Sequence, residues 1–249
     1  IIEHCEDRNL SMGGVMHEGA VSREIGVPGI PGIAEEVMVA RNILLAEFTG
    51  APLHIAHVST AGSVRLIREA KARGIRVTAE TAPHYFTLTD EAVRTLDPAT
   101  RVNPPLRSEK DRAAIREGLR DGTLDVIASD HAPHAPQDKE VDFSRAASGI
   151  TGLETSLPLS LRLVSEGIFS LSQLIEKMTI LPARILRIPK GTLAEGADAD
   201  ITVIDTEREW SVDRGSFRSR GKNTPFQGWT LKGKAVLTIV GGGIRYRDF

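Results

Sequence analysis

Three histidines and one aspartate could do chemistry together, because each follows a short apolar run. His4, His57, His84 and Asp130 lie at or within a few residues of the carboxyl ends of segments rich in Ile and Val. Imidazole nitrogen and carboxylate oxygen are ligands that a divalent metal such as zinc accepts. A single histidine at a strand end is more often a structural residue, so the indication depends on all four meeting at one place.

The segment ASDHAPHAP, residues 128–136, holds the densest group of such residues. Asp130 ends an apolar run, where a carboxylate is costly to desolvate unless a cation or hydrogen bonds hold it. His131 and His134 follow in a loop that two prolines stiffen. One interpretation is a polar turn with a capping aspartate. We favour the other, a metal-bound or general-base aspartate beside a substrate-binding histidine.

A second candidate is the segment RVNPPLRSEKD, residues 101–111. Its two consecutive prolines fix the backbone and hold Asn103 and Arg107 rigidly on either side. Such a loop can present the Asn103 amide to a ligand. The alternative is a lead-in to a helix that begins after Ser108, which accounts for the prolines but not for the asparagine.

The elements that must position these residues alternate between strands and helices. Continuous apolar runs predict strands at residues 1–4, 52–58, 75–81 and 124–130. Helical spacing predicts three intervening helices that end at Gly50, Gly74 and Gly122, and Ser108 with Asp111 forms the capping box of the third. This alternation predicts a parallel sheet. In a parallel α/β barrel the carboxyl ends of the strands open on one face, where the four residues would converge.

The rest of the chain does not continue the alternation of strands and helices. Helices are predicted at residues 153–166, 171–178 and 182–186. From Gly191 onward, short strands broken by Gly and Asp follow one another without a helix, which predicts a separate small β unit.

Within the strand at 52–58, His54 lies an odd number of residues from His57, so its side chain should point to the opposite face.

Composition excludes several classes of function. The 249 residues are 41% hydrophobic and 26% charged, with a net charge of −2. This balance lacks the basic excess that binding to a phosphate backbone requires, and no apolar run is long enough for a membrane span, so we expect neither nucleic acid nor a membrane as partner. Cys5 is the only cysteine, which excludes an internal disulfide and fits a cytoplasmic protein, and we expect it to be buried.

Several motifs along the whole chain resemble type I dihydroorotases of the amidohydrolase superfamily. They are EHCED, HIAHVST, VNPPLR, SDHAPH, GITGLET and the terminal GKNTPFQGWTLKGKAVLTIVGGGIRY. The resemblance implies an α/β fold, with the second half of a TIM-like (β/α)8 barrel at residues 1–190 and the carboxyl-terminal part of a small β-sandwich-type domain at 191–249. DHAPH and NPPLR favour a dihydroorotase over an allantoinase or a hydantoinase.

Carried over residue by residue, the resemblance implies a site that holds two zinc ions (Zn2+) when complete. His4 and His57 would bind the more buried zinc, while Asp130 would bind the other and act as general acid and base. Asn103 and His134 would hold the carboxylate and ring edge of the substrate.

Two loops depart slightly from the pattern of that family. The backbone at Ser148 and Gly149 would contact the pyrimidine ring, although Ala147 stands where the family tends to have proline. His84 would lie behind the ligands, since Tyr85 replaces the second histidine of the family's proline-histidine-histidine pattern.

The implied reaction is the reversible cyclisation of N-carbamoyl-L-aspartate to L-dihydroorotate, a step of pyrimidine synthesis. The family also uses a His-x-His strand end, an arginine after it and a bridging carboxylate, and none of these stands at a matching place in this sequence. We therefore expect the chain to be the carboxyl-terminal part of a homo-oligomeric dihydroorotase and to be inactive alone. One alternative is an allantoinase or a hydantoinase. The other is a non-catalytic subunit that assembles with aspartate transcarbamoylase. Aspartate transcarbamoylase is also a candidate partner of the active dihydroorotase.

Overall fold

Short strands and helices alternate through the first half of the computed structural model, which describes residues 1–249. The strands are β1 (Ile2–Glu3), β2 (Met16–His17), β3 (Gly29–Ile30), β4 (Leu53–Ile55), β5 (Val77–Thr81), β6 (Val126–Ile127), β7 (Ile201–Ser211), β8 (Thr230–Val240) and β9 (Gly243–Arg247). The α-helices are α1 (Arg8–Ser11), α2 (Ala20–Ile25), α3 (Ile33–Thr49), α4 (Ala61–Ala72), α5 (Pro83–Thr87), α6 (Glu109–Arg120), α7 (Pro136–Lys139), α8 (Leu153–Ser165), α9 (Leu171–Met178) and α10 (Ile180–Leu186).

A four-stranded sheet confirms the prediction of parallel strands. Its order is β1-β4-β5-β6, and Ile2 lies opposite His54 while Glu80 lies opposite Val126. The strands are shorter than the apolar runs that predict them. The backbone leaves the extended conformation at His57 (φ 35°) and Asp130 (φ 45°), and a left-handed residue cannot continue a strand.

Three long helices cover this sheet, and their ends lie close to the predicted places. After α3, Gly50 adopts a left-handed conformation with φ 65°, which glycine tolerates best. Ser108 accepts a hydrogen bond from the Asp111 backbone and the Asp111 side chain reaches back to Ser108, so α6 begins with the predicted capping box. Helix α4 lies between α3 and α6 and buries Ile67 completely.

Residues 8–31 contain structure that the sequence analysis did not predict. Strands β2 and β3 form a small parallel pair in which Met16 lies opposite Gly29; α1 precedes the pair and α2 connects its two strands. Each of these strands has only two residues. A periodic pattern needs a longer window to be recognised, so sequence alone gave no signal here.

The contacts divide the chain into two compact units, Ile1–Glu154 with Arg214–Pro225, and Thr155–Asp213 with Phe226–Phe249. In the second unit, β7, β8 and β9 form an antiparallel sheet, and β7 and β8 have 11 residues each, longer than the short strands predicted. The predicted domain boundary after residue 190 stays a prediction, since contact density alone does not define what folds as a unit. None of the helices combines the length and apolarity needed to cross a bilayer.

Candidate functional site

His4 and His57 meet at the carboxyl ends of the neighbouring strands β1 and β4. Nδ1 of His4 lies 2.9 Å from Nε2 of His57, and the two rings are arranged edge to face with centroids 4.7 Å apart. Since Glu3 pairs with Ile55 in the sheet, the residues just beyond these strand ends are brought to the same place. The left-handed backbone at His57 turns its side chain out of the strand direction.

His84 and Asp130 form the second pair at this edge of the sheet. His84 lies in α5, directly after β5, and its Nε2 is 3.5 Å from Oδ2 of Asp130, too long for a good hydrogen bond. Burial, with a smaller effect from His57, lowers the pKa of His84 to about 3, so its ring is neutral at pH 7. We call His4, His57, His84 and Asp130 the strand-end cluster.

The Asp130 carboxyl is partly buried, with 27% of its side-chain surface exposed. Burial raises its pKa above the ordinary value; His57 and His4 act in the opposite direction, and Glu80 adds to the rise. A carboxyl group whose pKa moves toward neutrality is suited to accept and return a proton near pH 7.

Two buried nitrogens of the strand-end cluster have no hydrogen-bond partner, Nδ1 of His57 and Nε2 of His84. An unpaired buried polar atom is costly, and in native proteins it calls for a specific reason such as an ion. The donor types fit zinc, which takes imidazole nitrogen and carboxylate oxygen. No group of three or more His, Cys, Asp or Glu side chains is arranged to hold a metal ion, so these residues supply only part of a ligand set.

Glu6 was missed by the sequence analysis, although it links two predicted site residues. Its Oε2 accepts from Nε2 of His4 and from Nδ2 of Asn103, both at 3.0 Å. Burial acts to raise the pKa of Glu6, but hydrogen bonds from His4, Ser11 and Asn103 outweigh it and lower the pKa to about 2. Because a carboxylate only accepts, it places the His4 proton on Nε2, so the Nδ1 that contacts His57 carries a lone pair. Its position two residues after His4, on the same side of the extended chain, was the available signal.

Buried side chains form hydrogen bonds that hold the Asn103 loop in place. The Tyr85 hydroxyl donates to the carbonyl of Pro104 at 2.7 Å, and burial raises the pKa of Tyr85 well above its ordinary value. Arg107 is also buried and donates to Ser59 Oγ and to the carbonyl of Ile30. Of the two residues that flank the prolines, Asn103 is therefore the one placed beside the strand-end cluster, through Glu6.

His134 and the segment 148–149 form a second part of the site. Nε2 of His134 donates to the carbonyl of Ser148 at 2.9 Å. Gly149 has φ 150°, and a Cβ there would lie 2.6 Å from the Ala132 Cβ and 2.8 Å from Nε2 of His134. Only glycine fits this close approach. The bonds of His134 go to this segment and to Asn223 rather than to the strand-end cluster.

The remaining histidines in the predicted motifs have structural partners. His54 lies within β4, where it contacts Thr78 Oγ1 at 2.8 Å and Glu80 Oε2 at 3.1 Å. That its side chain points away from that of His57 stays a prediction, because β4 ends at Ile55. His131 Nδ1 accepts from the backbone of Gly152 at 3.1 Å. Cys5 is 2% exposed, and burial raises its pKa to about 12, which confirms the prediction of a buried thiol.

The sequence of this chain is similar to a known protein family and to several relatives. Residues 7–245 match the sequence profile of the Amidohydrolase family. The dihydroorotase of Syntrophus aciditrophicus (strain SB) is 65% identical over 248 residues, and the dihydroorotase of Pelotomaculum thermopropionicum is 62% identical over 249 residues. Each match covers 100% of this chain but 58% of the relative. The chain thus spans little more than half the length of these relatives.

Two solved structures share the fold. The L-hydantoinase (dihydropyrimidinase) from Arthrobacter aurescens matches with a TM-score of 0.87 and 32% identity, covering 99% of this chain and 57% of that chain. The dihydropyrimidinase from Brevibacillus agri matches with a TM-score of 0.86 and 25% identity, covering 99% and 56%. The matched regions again span most of this chain.

Proposed function

The chain belongs to the Amidohydrolase family, and on that premise we propose that it supplies His4, His57 and Asp130 to the active site of a dihydroorotase. The observation that carries the proposal is the meeting of His4 Nδ1 and His57 Nε2 at 2.9 Å, at the end of the sheet where the partly buried Asp130 also lies. The relatives named dihydroorotase, at 56–65% identity, support this substrate over other cyclic amides.

The proposed metal is zinc, two ions in a complete site, with His4 and His57 as ligands of one and Asp130 as a ligand of the other. Zinc bound there would supply Lewis-acid polarisation of the amide carbonyl under attack. The meeting of Nδ1 of His4 and Nε2 of His57 at 2.9 Å, and the unpaired Nδ1 of His57, support this assignment. The further ligands must come from outside the strand-end cluster.

Asp130 is the proposed proton carrier. In the hydrolytic direction its carboxylate takes a proton from the attacking water and returns it to the ring nitrogen that leaves. In the direction of cyclisation it acts in reverse order. The upward shift of its pKa on burial supports the role, because it makes the carboxylate a stronger proton acceptor than an ordinary aspartate.

The proposed substrate contacts lie in the two loops beside the cluster. The amide of Asn103 and the ring of His134 would bind the carboxylate and ring edge of L-dihydroorotate, and the backbone at Ser148 and Gly149 would contact the pyrimidine ring. Rigid loops support such roles, since orientation of the substrate lowers the barrier only when the contacts are held in place. The hydrogen bond from Tyr85 to Pro104, and the close packing of Gly149 against Ala132, provide that rigidity.

The finer structural context is also part of the proposal. We place residues 1–190 in a TIM-like (β/α)8 barrel and residues 191–249 in a small β domain, in a homo-oligomeric cytoplasmic enzyme of pyrimidine synthesis that can associate with aspartate transcarbamoylase. The TM-score of 0.87 to a hydantoinase supports the barrel assignment.

A hydantoinase is the second candidate function, because the solved relatives with matching folds are hydantoinases or dihydropyrimidinases and one is 32% identical to this chain. A substrate panel on the complete purified protein separates the two. L-dihydroorotate should be turned over at least about 100-fold more efficiently than hydantoin or allantoin, as ratios of kcat/KM. Preference for hydantoin would favour the second candidate. The 249 residues alone should be inactive, since they form no group of three metal-binding side chains.

A further inference from the structure

Asn223 joins the two loops that carry the predicted substrate contacts. Its Nδ2 donates to the carbonyls of Ala132 at 2.9 Å and Gly149 at 3.0 Å. Its Oδ1 accepts from the His134 backbone and from the Thr151 hydroxyl, both at 2.9 Å. The Asn223 carbonyl also accepts from the Thr151 backbone at 2.8 Å.

The hydrogen-bonding capacity of this amide is completely used. Asparagine has two N–H donors and one oxygen with two lone pairs, and each of the four has one partner here. The side chain is 6% exposed, so water cannot replace a lost partner at low cost. No other residue type offers two donors and two acceptor sites at this length from the backbone.

The backbone at Gly221, two residues before Asn223, packs closely against the loop that carries His134. A Cβ at Gly221 would lie 2.6 Å from the Cβ of Pro133 and 2.8 Å from the backbone nitrogen of His134. The segment 221–223 therefore lies directly against the loop that carries His134. Asn223 and His134 are 89 residues apart in the sequence, which is why local patterns gave no sign of the contact.

We propose that Asn223 is a positioning residue, which sets the relative placement of His134 and of the Ser148–Gly149 segment for substrate binding. The proposal rests on the proposed function for the identity of the substrate, and on the hydrogen bonds alone for the positioning. Asn223 acts through the two loops, because its amide has no capacity left for a ligand. Its loss should weaken substrate binding more than it slows the chemical step at Asp130.

The test compares Asn223→Ala, His134→Ala and the double variant in the complete enzyme. Asn223→Ala should raise KM for L-dihydroorotate by roughly tenfold, with kcat changed by less than about threefold and with unchanged zinc content. In the His134→Ala background, the same change should raise KM by clearly less than tenfold, because only its effect on the Ser148–Gly149 segment then remains. A KM near that of the wild type, or effects that multiply in the double variant, would overturn the proposal.

A control variant separates positioning from general loss of stability. Ser170→Ala removes the N-cap of α9, which lies in the other compact unit. It should lower the thermal midpoint and leave KM unchanged. If Ser170→Ala raised KM as much as Asn223→Ala, the Asn223 effect would be one of stability and the proposal would fail.

Amide hydrogen exchange tests the positioning without any substrate. In Asn223→Ser, and more weakly in Thr151→Val, segments 131–135 and 148–152 should exchange faster while α4 and α6 keep their protection. Unchanged exchange in both segments would contradict the proposal even if Asn223→Ala failed to fold. If the wild-type enzyme did not act on L-dihydroorotate, the proposed function would fail while this measurement still decided the role of Asn223.

Discussion

Nδ1 of His4 and Nε2 of His57 lie 2.9 Å apart, although 53 residues separate them in the sequence. The two residues follow neighbouring parallel strands, so the sheet itself brings them together. The Glu6 carboxylate takes the other nitrogen of His4, and Nδ1 of His57 is buried without a partner. One nitrogen of each ring is thus brought to the same place, as the donor atoms of two ligands of a shared metal ion must be.

Glu6 should control metal affinity through His4. Glu6→Gln keeps the size of the side chain but removes the charge that holds the His4 proton on Nε2, so zinc affinity should fall by roughly 10- to 100-fold. Competition with a chelator on the complete protein measures this. Glu109→Gln is the matched control, since that carboxylate is exposed and pairs only with Arg112. Equal zinc affinity in the Glu6→Gln and Glu109→Gln variants would show that Glu6 does not set the tautomer.

Gly149 should not tolerate a side chain. Gly149 has φ 150°, and Gly149→Ala places a methyl group 2.6 Å from the Ala132 Cβ, so the loop must shift. The free energy of unfolding of the protein should therefore fall by about 1–3 kcal/mol. KM for L-dihydroorotate should rise with it. Gly26→Ala is the control, because Gly26 has φ 70° with nothing within 4 Å, and it should cost only about 1 kcal/mol without a change in KM. Urea unfolding and steady-state kinetics compare the two, and similar losses from both would exclude a special role for the close approach.

Lys139 should make stability depend on pH in the alkaline range. The ammonium donates to the carbonyls of Pro98 and Arg101, and burial, with Arg101 as a smaller cause, lowers its pKa from 10.5 to about 8. The unfolded chain then binds more protons than the folded one between pH 8 and 10.5, so this group makes the free energy of unfolding increase with pH over that interval.

Lys139→Gln removes this titration. The difference in free energy of unfolding between wild type and variant should therefore shift in favour of the wild type from pH 8 to 10.5, and stay constant below pH 7. Urea unfolding at several pH values measures it. A difference that does not change with pH would mean that the Lys139 pKa is ordinary.

Local patterns were enough to predict the parallel sheet and its long helices. The glycine after α3 and the Ser108–Asp111 capping box are chemical signals that act over a few residues, and both are present in the structure. The two-residue strands β2 and β3 are too short to show a period, and they were missed.

The same limit explains which site residues escaped prediction. His4, His57 and Asp130 could be proposed because each ends an apolar run. Glu6 contacts Asn103 across 97 residues and Asn223 contacts Ala132 across 91, and no local spacing encodes these two contacts, although the i, i+2 spacing of His4 and Glu6 was a local signal. The sequence therefore predicts the residues that face the site more readily than those that hold them in place.

The decisive measurement is the turnover of L-dihydroorotate by the complete protein and by its Asp130→Ala variant. We expect that the wild type hydrolyses L-dihydroorotate, and that Asp130→Ala loses roughly 10²- to 10⁴-fold in kcat while its circular dichroism spectrum stays unchanged. The control Glu117→Gln removes an exposed carboxylate that pairs with Arg120 on α6, and it should keep full activity. Activity of Asp130→Ala within about fivefold of the wild type would contradict the proposed role of Asp130, because no general acid and base could then be assigned to this chain.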